Sequence, residues 1–207
     1  TVQCTNDSVW RAAHVICTLP AAAVSSIEWA PGLPEAQKLA YGALDYSRII
    51  KTSILFSKRF WEEDFEMVTD TLSDDIYHST QNQPGGKGVL TSYAVGDRAY
   101  VLSHKSDEEK KKEVCDALKV PFGDVEHLAE EVYSYYWGDD PYTQGAYALF
   151  EKDQPPELQE QLRAPHGKVY FAGEHTADVR GFMEGAVVSG EEAAETIAHE
   201  SEVHVHA

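Results

Sequence analysis

The stretch that most constrains the fold lies near the C-terminus. It reads Val169-Tyr-Phe-Ala-Gly-Glu-His-Thr176 and, after a short gap, Gly181-Phe-Met-Glu-Gly-Ala-Val187. Behind the turn pair Gly167-Lys168, the β-branched and aromatic residues 169–171 predict a short buried strand that stops at Gly173. A helix is then predicted from about Phe182 to His199, with Gly185, Ala186, Ser189, Gly190, Ala193 and Ala194 giving it a small-residue face. A strand, a short loop and a helix start aim unpaired backbone N–H groups and the positive end of the helix dipole at one point. An anion or an electron-rich carbonyl fits there. A purely structural strand–loop–helix unit fits the same pattern.

Upstream, strands are predicted around Thr1–Cys4 and Val9–Leu19, with Asn6-Asp7-Ser8 as the turn between them. Pro20 ends the buried run Ala13–Leu19. Pro31, Gly32 and Pro34 break Trp29–Pro34 into a loop, and Pro34 opens a helix through Leu44. Ile49–Phe56 and Val89–Val95 read as strands, with Pro84-Gly85-Gly86 as a turn. Ser106 caps a helix through Leu118, with Glu109 at the capping-box position and Asp107–Glu113 as a solvated face. Asp124 is predicted to cap a second helix through about Tyr136, on the stripe Val125, Leu128, Ala129 and Val132. Asp153–Pro165 reads as a crossover loop. His199–Ala207 reads as a frayed, solvated tail, and its alternating His204 and His206 are not taken as a metal site.

Charge and cysteine usage narrow the function. Asp and Glu number 35 against 17 Lys and Arg, a formal net charge of −18. Nucleic acid and anionic membrane both need basic patches, so neither is an expected partner. No apolar run reaches the ~18 residues of a membrane span. The opening TVQCTNDSVW lacks the basic start and apolar stretch of a signal peptide, and does not read as a natural start either. Cys4, Cys17 and Cys115 are odd in number and have no CxxC spacing, which fits neither a disulfide framework nor zinc. Reduced thiols favour a reducing compartment such as the cytoplasm. Gly86-Lys87-Gly88 starts like a dinucleotide fingerprint, but Thr91 stands at the third glycine and a strand follows instead of a helix. The segment is a hairpin turn on this reading.

The C-terminal element resembles the flavin signature of the FAD-dependent amine oxidase superfamily, which includes monoamine, polyamine and L-amino acid oxidases and lysine-specific histone demethylases. Further segments are similar in family order: Ala13–Pro20, the loop Pro31–Pro34, Lys51 through Phe60-Trp61, and Trp137, Pro141-Tyr142 and Gly145-Ala-Tyr147. The resemblance implies an α/β chain, the C-terminal part of a two-domain flavin amine oxidase fold. Residues 1–19 and 164–200 would belong to an incomplete, discontinuous FAD-binding domain. Residues 20–163 would form a mixed-sheet substrate-binding domain, and 201–207 a flexible tail. The GxGxxG strand-turn-helix of the family is absent from this sequence, so the resemblance implies a partner segment or chain that carries it.

The same resemblance implies roles. Lys51, ten residues before Trp61, matches the lysine that holds a water against flavin N5 and assists reoxidation by O2; a lysine snorkelling at a strand end is the bland alternative. Trp137, Tyr142, Gly173, Glu174, Phe182, Met183 and Ala186 match cofactor-contacting positions. Glu174 is the pyrophosphate and ribityl contact, and the Met183 N–H is the contact to the flavin C2 carbonyl. Tyr147, Gly181 and Phe182 match the walls of the substrate channel. Aromatic walls suit an amine that approaches uncharged, since a dry site disfavours the ammonium. Ala146 stands where monoamine oxidases carry the cysteine bonded to flavin, which implies non-covalent FAD. No metal is implied.

Three features favour an L-amino acid oxidase over an amine oxidase. Glu174 to Phe182 spans eight positions, as in those enzymes. Gly88–Ala99 resembles their strand and turn. Ile76-Tyr77-His78 resembles the place where a tyrosine holds the substrate carboxylate, with Tyr77 carrying the phenol or His78 replacing it. Against this, Gly181–Val187 and the pair Tyr147 and Phe182 resemble monoamine oxidases. The implied reaction is hydride transfer from the substrate Cα to flavin N5, giving a keto acid, ammonia and, from O2, hydrogen peroxide. Alternatives are a monoamine or polyamine oxidase, a catalytically inactive fragment of such an oxidase, and an acidic binding domain without cofactor. A homo-oligomer is left open.

Overall fold

The structure, a computed structural model, describes residues 1–205 except 153 and 156, with side chains through residue 201. The chain divides into two compact units, one formed by Thr1–Tyr46 with the chain from Tyr147 onward, the other by Ser47–Ala146. Both dividing points fall inside the segment 20–163 that was expected to form one domain. The reason is that three helices of that segment pack with the N- and C-terminal strands.

The first unit opens with β1 (Val2–Gln3) and β2 (Val9–Trp10), an antiparallel pair. In its turn Asp7 has φ 64° and the Ser8 N–H donates to Asn6 Oδ1 at 3.1 Å. Next come β3 (Val15–Cys17), α1 (Ala21–Ser26), α2 (Glu35–Gly42) and β4 (Asp45–Tyr46). The expected strand Val9–Leu19 is thus two short strands. Helix α1 was not anticipated: Pro20 both ends the strand and starts the helix, which buries Ala21, Ala23 and Val24.

The second unit holds β5 (Ile49–Phe56), β6 (Glu66–Val68), β7 (Asp75–His78), β8 (Gly88–Val95), α3 (Gly96–Ser103), α4 (Asp107–Phe122) and β9 (Ala129–Tyr136). Its strands form one sheet in the order β6-β7-β8-β5-β9, antiparallel at every pairing. One face is covered by α3 and α4. Ile54, Phe56, Ile76 and Leu90 pack with Val114, Cys115 and Leu118 of α4, while Ile50 and Ala94 pack with Ala99 and Leu102 of α3. Helix α4 starts on the expected capping box. The Glu109 N–H donates to Ser106 Oγ at 3.3 Å, and the Ser106 N–H donates to the Glu109 carboxylate at 2.8 Å.

The helix expected from Asp124 to about Tyr136 does not form. A 3-10 turn, Glu126–Leu128, leads into strand β9 on the edge of β5. Val125, Leu128, Ala129 and Val132, which look like a helical stripe, reach one core from a turn and a strand instead. Their spacing satisfies both geometries, and the period-two pattern of Tyr133 and Tyr135 decides for the strand.

The chain returns to the first unit as β10 (Ala148–Leu149), α5 (Glu157–Arg163), β11 (Val169–Phe171) and α6 (Met183–Val205). β10 pairs with β4, and β11 pairs in parallel with β3, Tyr170 opposite Ile16. Helix α5 lies in the stretch expected to be a crossover loop; Leu158 and Leu162, four apart, bury its one apolar stripe. With Cys17, Val24, Tyr41 and Phe171 they form the core of this unit. Helix α6 continues past His199. Lys168 Nζ and the Tyr170 hydroxyl both donate to Glu200, at 3.0 and 2.7 Å, and hold that last part against β11. His206 and the side chain of His204 lie outside the described residues. Among the described residues no helix is long and apolar enough to cross a membrane.

Candidate active site

The second unit carries Lys51, Tyr77, His78, Trp137 and Tyr142 of the expected site residues, and two of them, Lys51 and Tyr77, share one sheet face. Residues paired directly across antiparallel strands point to the same side. The register lines up Asp75, Tyr93, Lys51 and Tyr135 in one row, and Tyr77, Thr91, Ser53 and Tyr133 in the next. Lys51 is therefore exposed on the face away from α3 and α4, with Nζ 5.4 Å from the centre of the Tyr93 ring. Lys51, Ser53, Tyr133, Tyr135 and Trp137 line a shallow cavity of about 320 Å³.

Asp140 fixes the rim of this cavity. Its carboxylate accepts from the Tyr135 hydroxyl at 2.6 Å and from the backbone N–H groups of Tyr142 and Thr143 at 2.9 and 2.8 Å. The Tyr135 bond leads these interactions in bringing its pKa down to about 2. The same bond, first among its causes, raises that of the Tyr135 phenol. Trp137 meets the Tyr135 ring edge-on at 4.8 Å. Tyr142 itself is three-quarters exposed at 75%.

The register separates Tyr77 from His78. Tyr77 shares the open face with Lys51, in the neighbouring row. His78 is on the core face, 4% exposed, with Nδ1 3.0 Å from the Glu63 carbonyl and Nε2 2.9 Å from Thr80 Oγ1. Both ring nitrogens are committed and the ring packs edge-on against Trp61, so the expected substrate role for His78 is replaced by a structural one. The hairpin reading of residues 86–88 also acquires a cause. A Cβ at Gly88 would lie 2.7 Å from Arg59 Cγ and Trp61 Cζ2. The glycine makes room for side chains of its own unit. The Arg59 guanidinium ties the hairpin together by donating to the carbonyls of Thr80, Gln83 and Lys87 at 3.1, 2.8 and 3.0 Å.

The first unit carries the others, Tyr147, Gly173, Glu174, Gly181, Phe182, Met183 and Ala186, most of them on the way into α6. Strand β11 stops at Gly173, whose φ of 140° suits glycine and whose N–H donates to Ser189 Oγ of α6 at 2.9 Å. A 3-10 turn, Glu174–Thr176, follows. Its His175 is 2% exposed, and burial holds its pKa below the ordinary histidine value. The loop then crosses the first turn of α6 so closely that a Cβ at Gly185 would lie 1.9 Å from the Val179 carbonyl oxygen. Arg180 lays its guanidinium 3.8 Å from the centre of the Phe150 ring.

Both oxygens of the Glu174 carboxylate accept a backbone hydrogen bond. One oxygen accepts from the Ala148 N–H and the other from the Gly181 N–H, both at 2.9 Å. Gly181 lies under the Tyr147 ring. Phe182 and Met183 follow at 66% and 88% exposure, and Ala186 is half-buried one turn on. Exposed aromatic and apolar residues next to the positive end of a long helix suit a flat ring system with partial negative charge. Residues 146 and 147 fall on either side of the dividing line between the units. Ala146 donates its N–H to the Ser47 carbonyl at 3.0 Å.

With this geometry established, comparison with known proteins gives the class. The family described as flavin containing amine oxidoreductase matches residues 1–198. The chain belongs to that family, and FAD is the cofactor that goes with it. An L-amino-acid oxidase from Siganus canaliculatus is 36% identical over 191 residues, 88% of this chain and 36% of the relative. One from Echis ocellatus is 30% identical over 197 residues, 91% of this chain and 39% of the relative. The chain thus spans well under half the length of these relatives. Among solved structures, cyclohexylamine oxidase from Brevibacterium oxydans IH-35A superposes with a TM-score of 0.83 at 22% identity, over 93% of this chain and 44% of that one. Wild-type putrescine oxidase bound to putrescine superposes with a TM-score of 0.80 at 25% identity, over 90% and 43%. The α/β architecture is that of part of a flavin amine oxidase fold.

Proposed function

We propose that this chain is the C-terminal part of an FAD-dependent L-amino acid oxidase, which converts an L-amino acid, O2 and water to a keto acid, ammonia and hydrogen peroxide. The observation that carries the reading is the shared sheet face of Lys51 and Tyr77. It puts the phenol expected to hold the substrate carboxylate on the same surface as the lysine expected to serve the flavin. The similarity to L-amino-acid oxidases over 88% of the chain supports it.

The residues divide the work by position. On the second unit, Tyr77 holds the substrate carboxylate and Lys51 holds a water and handles a proton during reoxidation. Trp137 with Tyr135 forms an apolar, ordered wall. On the first unit, Tyr147, Gly181 and Phe182 wall the substrate channel and favour the uncharged amine. The amide groups at the start of α6, with Met183, would hold the electron-rich edge of the flavin, and Gly173 and Ala186 would leave room for it. Trp137 and Tyr142 complete the cofactor contacts. Bound FAD supplies the two-electron oxidation of the carbon that bears the amine. Ala146 has no thiol to bond to it, so the cofactor is non-covalent. The segment carrying GxGxxG is the partner that completes the site.

An amine oxidase is the second reading. Tyr147 over Gly181, with Phe182 exposed beside it, offers an aromatic cage for an amine without a carboxylate. Visible absorption of the flavin-loaded protein before and after acid precipitation tests the cofactor assignment. Flavin bands released to the supernatant support it, and bands retained on the protein contradict the non-covalent assignment. Peroxide production with L-amino acids or with primary amines separates the two readings.

A further inference from the structure

We infer that the Glu174 carboxylate is a positioning group that sets the distance between the Tyr147 and Phe182 walls. The inference deepens the oxidase reading above and rests on it for the meaning of the two walls. The geometry comes first. Glu174 stands at the start of a rigid turn: the Thr176 N–H and hydroxyl donate to the Gly173 carbonyl at 3.0 and 2.9 Å, and Arg163 donates to the Thr176 carbonyl. From this base one carboxylate oxygen takes the N–H of Ala148, next to Tyr147, and the other takes the N–H of Gly181, next to Phe182, both at 2.9 Å. The two segments are far apart in sequence and meet at this one side chain. Each bond joins an ionised acceptor to a backbone donor, the stronger kind of hydrogen bond. With one bond on each oxygen, the carboxylate ties the two segments together.

Chemistry makes the clamp specific to a carboxylate of this length. Two N–H donors converge on it, so both partner atoms must be acceptors. A glutamine at 174 offers one acceptor and turns an NH2 group on the other N–H. An aspartate is one carbon short and reaches one segment at a time.

The test uses the complete flavin-loaded enzyme, this chain together with the segment that carries GxGxxG, with Glu174→Gln and Glu174→Asp. Hydrogen–deuterium exchange at Ala148 and Gly181 should accelerate in both variants. The Gly173 N–H, held by Ser189, should stay protected as an internal control. With L-phenylalanine and L-alanine as probes, KM for the bulky substrate should rise about tenfold, kcat by contrast changing little, and KM for the small one should move far less. The flavin absorption spectrum should be unchanged. Unaltered exchange at either amide, an equal loss of kcat for both substrates, or a shifted flavin spectrum would overturn the clamp. Absence of turnover in the unsubstituted holoprotein would instead overturn the oxidase reading, and exchange at the two amides would still report on the clamp.

Discussion

Gly181 sits directly beneath the Tyr147 ring, with φ 73° and room for no side chain: a Cβ there would be 3.0 Å from Tyr147 Cδ2. Gly181→Ala therefore forces both a left-handed backbone on a residue that resists it and a shift of the ring. The variant should lose about 1–2 kcal/mol of stability. It should also bind substrate more weakly while keeping its flavin. Thermal melts and a KM measurement check both parts.

Lys51 projects from the open face of the sheet over Tyr93. If it holds the water used in reoxidation, Lys51→Met should slow the reaction of the reduced protein with O2 by about tenfold or more. Substrate affinity should change much less. Stopped-flow reoxidation against oxygen concentration measures this, and unchanged oxygen kinetics would remove Lys51 from the site.

His175 gives the first unit a pH dependence with a definite sign. Burial lowers its pKa from 6.5, so the folded state favours the neutral ring. The unfolded chain takes up a proton near its ordinary value while the folded one does not. Stability is full above pH ~6.5 and falls as pH drops below it, toward the lower folded value. The melting temperature should decline between pH 7.5 and 5.5 more steeply in the wild type than in His175→Phe.

Asp75 occupies the same row as Lys51 and carries the opposite liability. Its Oδ1 is buried without a hydrogen bond, and burial, then Glu66, then Asp74 raise its pKa. The charged form is disfavoured by folding, so Asp75→Asn should raise the melting temperature at pH 7 and shrink the gain on acidification. A melt at pH 7 and pH 5 in both proteins checks it.

The C-terminal strand, turn and helix were legible in the sequence because glycines and caps mark their own geometry. Gly173 ended a strand, and Ser106 with Glu109 started α4, as their chemistry requires. The choice between Tyr77 and His78 was not legible. A one-residue slip moves every side chain to the other face, and only the pairing with β8 fixes which residue faces Lys51. The segment 124–136 misled because its apolar spacing serves a helix and a turn-plus-strand alike. Tyr93, Tyr133 and Tyr135, which surround Lys51, went unselected. The alternation of tyrosines at 133 and 135 was the available signal. Nothing in the sequence announces the two backbone partners of Glu174, which come from segments 26 and 7 residues away.

The most direct test of the oxidase reading is anaerobic addition of single L-amino acids and single amines to the complete flavin-loaded enzyme, GxGxxG segment included, followed by admission of air. The account predicts that an L-amino acid bleaches the flavin absorption, that the D-enantiomer does not, and that air restores the colour with stoichiometric peroxide and ammonia. Bleaching by amines alone would replace the amino acid with an amine as substrate. A flavin that stays oxidised with every member of both panels would contradict the account.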